Sequence, residues 1–318
     1  MRGRSQPSFT YRTSVLLALA LGVAWGAPPR AATPVPQKGG NKTVFATVVD
    51  ANNNAVTDVT KEDLGVREDG ADRQIVDFKP ATEPLDIVMM IDTTKSIAVN
   101  INELRDGLKA FAHTILAGNP GATFSIMNVA SAAVMSSVDK KTPEDVDKVL
   151  AKTYPDQTEP TVFLEGMVDA GKKLMKSPSP RRVIMLINLE GVPEVSTLDP
   201  PKVIKQVVDS GAQMWVLSYS NDVSKKLIAA STKGGIGSAN TGQNRDVLLN
   251  MIPPGTGGIR VMIDVPTALE DTLTKIAKAL LAQYEVTYTR PDGPTPKLLQ
   301  MGIARAGVKL AYAQTPPK

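Results

Sequence analysis

The sequence predicts an α/β fold with a doubly wound, mostly parallel sheet and helices on both of its faces, preceded by a small β module. Three observations lead to this prediction. Runs made almost wholly of apolar residues recur at 85–91, 183–187 and 214–217, as in strands that are covered on both faces. Stretches with apolar residues at three- and four-residue spacing lie between these runs and predict amphipathic helices. Strands that alternate with helices favour a parallel sheet.

The amino terminus is typical of a secretory signal peptide, which we predict over residues 1–26. Three arginines (Arg2, Arg4 and Arg12) precede an apolar run at 15–24, and small residues follow that run. The run is about half of the roughly 20 residues that a membrane-spanning helix needs, so cleavage is favoured over anchoring. We therefore expect an exported protein, periplasmic or extracellular, that has no contact with the membrane after signal cleavage.

Composition excludes several kinds of site. The 318 residues include no cysteine, which removes disulfides, thiolate nucleophiles and thiolate metal sites. The single histidine, His113, lies on the polar face of a predicted helix and is expected to be solvated. Without the three arginines of the leader, the 36 basic residues fall to 33 against 32 acidic ones. This balance and an aromatic content of 4% give no reason to expect nucleic-acid binding.

The elements before residue 82 are predicted to be β. The β-branched run at 43–49 ends at an Asp/Asn turn, and Asp69-Gly70 between two further β patterns predicts a hairpin. The predicted division of the chain is a signal peptide at 1–26, a Pro/Gly-rich linker at 27–42, a small β module at 43–82, a larger α/β domain at 83–290, and a C-terminal β extension and tail at 291–318.

In the larger domain, strands and helices alternate. The first helix carries an apolar stripe from Ile101 to Ile115, and Thr142 caps the next helix with Pro143 at its first position. The remaining predictions, in chain order, are strands at 123–129 and 132–138, a helix at 161–176, a helix opened by Asp199-Pro200, a looser region at 221–258, a strand at 259–263, a helix from Leu269, and β segments at 284–289, 298–304 and 308–312.

The residues that follow the first apolar strand carry the chemistry. Asp92, Thr94 and Ser96 alternate along the chain, so an extended backbone would point their three oxygens in one direction. One carboxylate and two hydroxyls form half of an oxygen shell suited to Mg²⁺, which keeps water in its remaining positions. On spacing alone, the alternative is a helix cap in which these side chains only satisfy backbone donors.

The segment at 86–96 resembles the start of a von Willebrand factor type A (VWA) domain, whose signature at the end of the first strand is Asp-x-Ser-x-Ser. Other stretches are similar to exported bacterial VWFA-related proteins: 56–64, 67–70 and 74–78 to the leader of the domain, and 282–288 to its end. The resemblance covers roughly residues 43–314 and implies a VWA, Rossmann-like fold.

What the resemblance implies is a metal-ion-dependent adhesion site for Mg²⁺, built from three loops. Asp92, Thr94 and Ser96 match the first loop, with a threonine in place of the middle serine. Thr161 matches the threonine of the second loop. In such a site, an acidic residue of the partner protein often completes the metal shell.

The third loop departs from the family pattern. Leu189 stands where the family has an aspartate, so Glu190 is the candidate to replace it as a ligand. A lost carboxylate removes a negative charge beside the cation, which points to a degenerate site. Asp156 and Glu159 precede Thr161 and are candidates to support it, although exposed loop positions are the default for such residues. The alternative is a site whose hydroxyls and Asp92 only organise the loops.

The resemblance therefore implies a binding or adhesion module without enzymatic activity, which recognises a protein partner through the loops at the carboxyl ends of the strands. Two alternatives stay open. One is a metal-assisted hydrolase, because doubly wound sheets host many chemistries, although no pair of nucleophile and base is visible in the sequence. The other is a structural protein of the cell envelope with a defunct metal site. The sequence gives no indication of oligomeric state.

Overall fold

A computed structural model describes residues 39–231 and 239–317. The predicted signal peptide and most of the predicted linker lie outside the described residues. Strand β1 begins at Gly39, inside the range predicted as linker. Within the described ranges, no helix is long and apolar enough to cross a membrane.

The predicted doubly wound sheet is present and has six strands. Its order is β10-β9-β8-β5-β6-β7, and all neighbours are parallel except β6 and β7. The strands are β5 (Leu85–Asp92), β6 (Thr123–Val129), β7 (Ala133–Lys140), β8 (Arg181–Leu189), β9 (Ala212–Tyr219) and β10 (Arg260–Ile263). Every residue of β5 and β9 is buried, as their apolar composition predicts.

Helices cover both faces of this sheet. The helices are α1 (Ile101–Gly118), α2 (Pro143–Leu150), α3 (Phe163–Met175), α4 (Pro200–Asp209), α5 (Asp222–Ser231), α6 (Ala239–Thr256) and α7 (Leu269–Leu281). Apolar residues of α1, α2 and α7 pack on Ile87, Met89 and Ile91, while those of α3, α4 and α6 pack on Val88 and Met90. The alternation along β5 thus divides the core into two layers.

One sequence prediction in this domain is wrong. The region at 221–258 contains α5 and α6, although it was expected to be loose. Pro253, Pro254 and Gly255 are unfavourable residues for a helix, but they form the end of α6. Leu248, Leu249 and Ile252 pack against the sheet, and this burial outweighs the weak local helix signal.

The remaining strands form two smaller antiparallel sheets. Their orders are β13-β1-β11-β4 and β12-β2-β3. The strands are β1 (Gly39–Asp50), β2 (Leu64–Glu68), β3 (Ala71–Arg73), β4 (Ile75–Pro80), β11 (Tyr284–Pro291), β12 (Leu299–Ile303) and β13 (Val308–Tyr312). Strands from both ends of the described chain thus pair within these two sheets, and the two sheets share one apolar core. The predicted β module does not form its sheets without the predicted C-terminal extension.

The predicted hairpin is centred as expected. Asp69 and Gly70 have φ values of 48° and 81°, which suit a two-residue turn between β2 and β3. The predicted second strand of this hairpin, 74–78, is wrong in its partner, because it falls almost wholly in β4 and pairs with β11, while the shorter segment 71–73 pairs with β2.

A buried ion pair joins the two ends of the chain inside these sheets. Glu68 is fully buried, and its Oε1 accepts from the Arg290 Nη2 (2.6 Å) and from the Tyr288 hydroxyl (2.5 Å). Its Oε2 accepts from the Arg73 Nε at 3.0 Å. Burial would raise the pKa of Glu68, but these hydrogen bonds outweigh it and hold the pKa below its ordinary value.

Candidate functional site

We use the name carboxyl edge for the end of the six-stranded sheet at which β5, β8 and β9 end. There, the loop after β5 and the segment before α3 lie side by side. The Thr93 N–H donates to the Val129 carbonyl (2.9 Å), and the Thr93 carbonyl accepts from the Asp156 N–H (2.6 Å). The Lys95 N–H donates to the Thr158 carbonyl at 2.8 Å. The two segments that were predicted to meet are therefore joined by backbone hydrogen bonds.

Asp92 is the last residue of β5 and is fully buried. Its Oδ1 accepts from the N–H (2.9 Å) and the hydroxyl (2.6 Å) of Thr94, and its Oδ2 accepts from the Leu189 N–H (3.2 Å). Burial raises the pKa of Asp92 to about 6 despite these hydrogen bonds. The carboxylate thus ties the first loop to the end of β8.

Ser96 does not continue the expected alternation. It lies in a short 3-10 helix, Lys95–Asn100, because the backbone turns after Thr94. Its buried hydroxyl donates to Glu159 Oε2 at 2.5 Å. Glu159, proposed from the sequence as a supporting acid, therefore connects the first loop to the segment that leads to Thr161.

Thr161 is held by a residue that the sequence did not single out. Its hydroxyl donates to Glu194 Oε2 at 2.9 Å, and the same oxygen accepts from the Phe163 N–H at 3.3 Å. Glu194 lies in the loop between β8 and α4, and its other oxygen accepts from Ser196. Burial raises the pKa of Glu194. Nothing local in the sequence distinguishes this acid from an exposed loop residue.

In the third loop, the side chains of Leu189 and Glu190 lie on opposite sides of the chain, as alternation along a strand dictates. The Leu189 side chain packs in the core beside α1 and α7. Glu190 Oε1 accepts from Arg260 Nη2 and from Asn188 Nδ2, both at 2.8 Å, so this carboxylate is engaged next to β10. Asn188 is fully buried, and its Oδ1 has no hydrogen-bond partner among the described residues.

Arg245, in α6, is the other residue that sequence reasoning missed, because it lies in the region expected to be loose. This residue is only 2% exposed. The Nη1 atom donates to the Val192 carbonyl (2.8 Å), while the Nε atom is buried and has no hydrogen-bond partner in the part of the chain that the structure describes. The positive charge of Arg245 lowers the pKa of both Asp92 and Glu194, against the larger effect of burial. One guanidinium thus acts on buried carboxylates from two loops.

These residues do not fit a tightly held divalent cation. In the described part of the chain, no three acidic, histidine or cysteine side chains converge to hold a metal ion. Asp92 already accepts three hydrogen bonds, and Glu190 is paired with Arg260. The hydroxyls of Ser96 and Thr161 donate to carboxylates. Each hydroxyl oxygen keeps lone pairs that could bind a cation, but the hydroxyls themselves are neutral and contribute no negative charge.

A cavity of about 390 Å³ lies at the opposite end of the sheet, where β8 and β9 begin. Its lining includes Arg181 and Thr256. The Arg181 guanidinium donates to the carbonyls of Ala81, Glu83 and Leu280 and to the Gln283 side chain, and the Thr256 hydroxyl donates to the Ile252 carbonyl. These polar groups serve the packing between layers, and they do not form a pair of nucleophile and base.

No protein-family model and no curated protein sequence matches this chain. Solved structures of similar shape include a von Willebrand factor type A protein from Catenulispora acidiphila, at 11% identity and a TM-score of 0.46, with 88% of this chain and 74% of that chain covered. Another is proximal thread matrix protein 1 from the mussel byssus with a zinc-occupied MIDAS motif, at 13% identity and a TM-score of 0.45.

The match with the byssus protein covers 67% of this chain but only 49% of that one, so the chain spans about half of its length. A third similar structure is the vWF domain of the type V pili tip protein Mfa5 from Porphyromonas gingivalis, at 11% identity and a TM-score of 0.43, with 63% of this chain and 96% of that chain covered. Identities and TM-scores of this size carry no argument about this chain beyond the likeness itself. The chain has a VWA-like α/β fold, which is the fold that its sheet order and two helix layers define.

Proposed function

We propose that this chain is a binding module of adhesion type, and not an enzyme, which recognises a protein partner through the carboxyl edge. One observation carries the proposal: each of three neighbouring loops at this edge exposes one large apolar side chain. These are Val99 (62% exposed), Tyr154 (65%) and Val195 (48%). Contiguous exposed apolar patches mark interaction surfaces, and we propose that these three side chains form one, because backbone hydrogen bonds join the loops that carry them.

The buried polar side chains beneath this surface support the proposal. Ser96–Glu159 and Thr161–Glu194 hydrogen bonds connect the loops from within, so the surface is formed before a partner arrives. Preorganised surfaces lose less conformational entropy on binding. The Arg105 guanidinium lies 5.2 Å from the centre of the Tyr154 ring and steadies this exposed aromatic.

We call the surface formed by Val99, Tyr154, Val195 and the polar residues around them the rim. Its chemistry suggests which groups the partner presents. Aromatic side chains are frequent anchors of protein interfaces, which favours Tyr154 as the central contact. Lys95 is exposed in the first loop and offers a positive charge to an acidic side chain. We therefore propose a protein partner that presents an apolar patch together with an acidic residue.

The proposal has two forms that differ in their use of metal. In the first, which the family resemblance implies, Mg²⁺ binds Asp92, Thr94, Ser96 and Thr161, with Glu190 as a further ligand. In the second, these residues only hold the loops, and the partner binds without metal. The hydrogen bonds of Asp92 and the pairing of Glu190 with Arg260 favour the second form.

Site-specific photo-crosslinking tests the surface. A photoreactive amino acid is placed at Val99, Tyr154 or Val195, and at Val138, which is 52% exposed on β7, as the matched control. After irradiation in an envelope extract of the source cells, we expect the three rim positions to give a crosslink to the same protein. Equal crosslinking at Val138, or none at the rim, would contradict the proposal.

We also propose that the protein is exported, to the periplasm or beyond the cell, on the strength of the leader predicted at 1–26. Cell fractionation and amino-terminal sequencing of the mature protein test this. The expected result is a chain that begins near residue 27 and is absent from the cytoplasm. A full-length chain in the cytoplasmic fraction would refute it.

A further inference from the structure

The proposed function makes no use of the cavity of about 390 Å³ at the amino ends of β8 and β9, which we call the amino-end cavity. Its wall is formed by β1, the ends of α4 and α6, and the C-terminal tail at 313–317. Apolar side chains, among them Phe45, Val183 and Val208, make up much of the lining. Cavities of about 300–1,000 Å³ with apolar walls and a few polar groups are typical binding sites for small molecules.

The C-terminal tail is held against this cavity by backbone contacts. The Gln314 N–H donates to the Gly255 carbonyl (3.0 Å), and Ala313 forms an antiparallel bridge with Thr256. Gly257 allows this close approach, because its φ is +84° and a Cβ there would lie 2.7 Å from the Ala313 nitrogen. The tail is therefore fixed in place as one wall of the amino-end cavity.

Arg182 brings a positive charge to this lining. Its Nε, Nη1 and Nη2 atoms donate to three carbonyls in the turns before β8 and β9, at 2.8–2.9 Å. Each Nη atom carries a second N–H, for which the described residues offer no partner, and Arg182 forms no ion pair within the same ranges. Asp209, the acidic residue of the lining, is paired with Lys205. The guanidinium thus keeps both its charge and two N–H groups for an anion.

The shape of the amino-end cavity favours an elongated ligand. Arg182 is paired with Ala212 on the neighbouring strand, so alternation along β9 points the side chain of Gln213 to the opposite face of the sheet from that of Arg182. Both Arg182 and Gln213 line the cavity, which therefore extends around the ends of the strands from one face of the sheet to the other. An unbranched chain can follow this path.

We infer that the amino-end cavity binds a small carboxylate with an unbranched apolar chain, of the kind found in medium-length fatty acids. The carboxylate accepts hydrogen bonds from the free N–H groups of Arg182, in the charge-assisted arrangement that guanidinium groups favour. The apolar chain lies along the strand ends, against Val208, Val183 and Phe45. This site is separate from the carboxyl edge, and the inference does not depend on the proposed function.

Isothermal titration calorimetry of the mature chain with decanoate tests the inference, with decanol as the neutral ligand of the same chain length. We expect saturable binding of decanoate at one site, with a Kd in the micromolar range. Decanol should bind at least about ten-fold more weakly, because it forms no charge-assisted hydrogen bond with Arg182. No saturable binding of decanoate, or equal affinity for the two ligands, would overturn the inference.

A variant at Arg182 tests the proposed anchor. Arg182→Gln should weaken decanoate binding at least about ten-fold and leave decanol binding unchanged. Arg105→Gln is the matched control, because Arg105 is also a partly buried guanidinium that donates to a backbone carbonyl, that of Thr153, but it lies outside the lining. Equal decanoate affinity of the two variants would refute the role of Arg182. The comparison of decanoate with decanol in the wild type needs no variant, so it decides the question even if Arg182→Gln does not fold.

Trp215 reports where the ligand lies. Its Nε1 donates to Gln213 Oε1 at 3.5 Å, and it is the only tryptophan of the chain once the predicted leader, which holds Trp25, is removed. We expect decanoate to shift the fluorescence emission of Trp215 with the same Kd as the heat signal. Saturable binding that leaves this emission unchanged would contradict the assignment of the ligand to the amino-end cavity.

Discussion

Replacement of Glu68 by glutamine tests whether the two ends of the chain are held together by a buried ion pair. Glu68→Gln keeps the shape of the side chain but removes the charge that faces Arg290 and Arg73. Removing one partner of a buried pair costs about 3–5 kcal/mol, and we expect about 3 kcal/mol because the amide oxygen still accepts a hydrogen bond. In a domain of this size, that loss lowers Tm by about 6 °C.

The pH dependence of this loss has a definite sign. The pKa of Glu68 is below its ordinary value in the folded state, so its stabilising contribution is complete above the unfolded-state pKa and is lost as the pH falls through the folded-state pKa. Urea unfolding at about pH 7 and at successively lower pH should therefore show the gap between wild type and Glu68→Gln narrowing in acid.

The exposed Glu62, on the same segment, provides the matched control. Glu62→Gln should change the free energy of unfolding by less than about 0.5 kcal/mol at every pH. A loss below about 1 kcal/mol for Glu68→Gln, or a loss that stays constant with pH, would refute the argument that a buried charge pair joins β2 and β11.

Three further changes probe the carboxyl edge. Thr161→Val removes the donor to Glu194 and should destabilise by about 2 kcal/mol in urea unfolding, with Thr161→Ser near wild type; equal effects would refute the role of the hydroxyl. The folded-state pKa of Asp92 is raised, so ionisation of this carboxyl above that pKa destabilises the wild type. Relative to Asp92→Asn, the free energy of unfolding of the wild type should therefore rise by about 2 kcal/mol from pH 7 to pH 4. The absence of such a rise would contradict the burial of Asp92. Gly191→Ala should lower the free energy of unfolding by about 2 kcal/mol in urea unfolding, because φ is +77° and a Cβ would lie 2.8 Å from the Ser224 carbonyl oxygen. A neutral effect would contradict this loop geometry.

The core of the fold could be predicted because its signals are local. The apolar run at 85–91 forms a strand buried on both faces, and the stripe along 101–115 matches the buried face of α1. The pairing of β1 with β11 could not be predicted in the same way, because the paired residues lie about 240 positions apart and neither strand specifies its partner. Helix α6 was missed because tertiary packing overrides its local sequence.

The candidate site was predictable in part for the same reason. The spacing of Asp92, Thr94 and Ser96 after a buried strand pointed to the first loop, and the structure places Thr161 at the same edge. The contacts of these side chains were not predictable, since they depend on Glu194 and Arg245 from distant elements. Each is a single charged residue outside any recognisable motif, and only the folded chain shows that it is buried.

The most direct test of partner binding without metal at the carboxyl edge is a crystal structure of the full mature chain grown in excess MnCl₂, with data collected for anomalous scattering. The account predicts no manganese peak within bonding distance of Asp92, Ser96 and Thr161. A strong peak coordinated by those oxygens would contradict it.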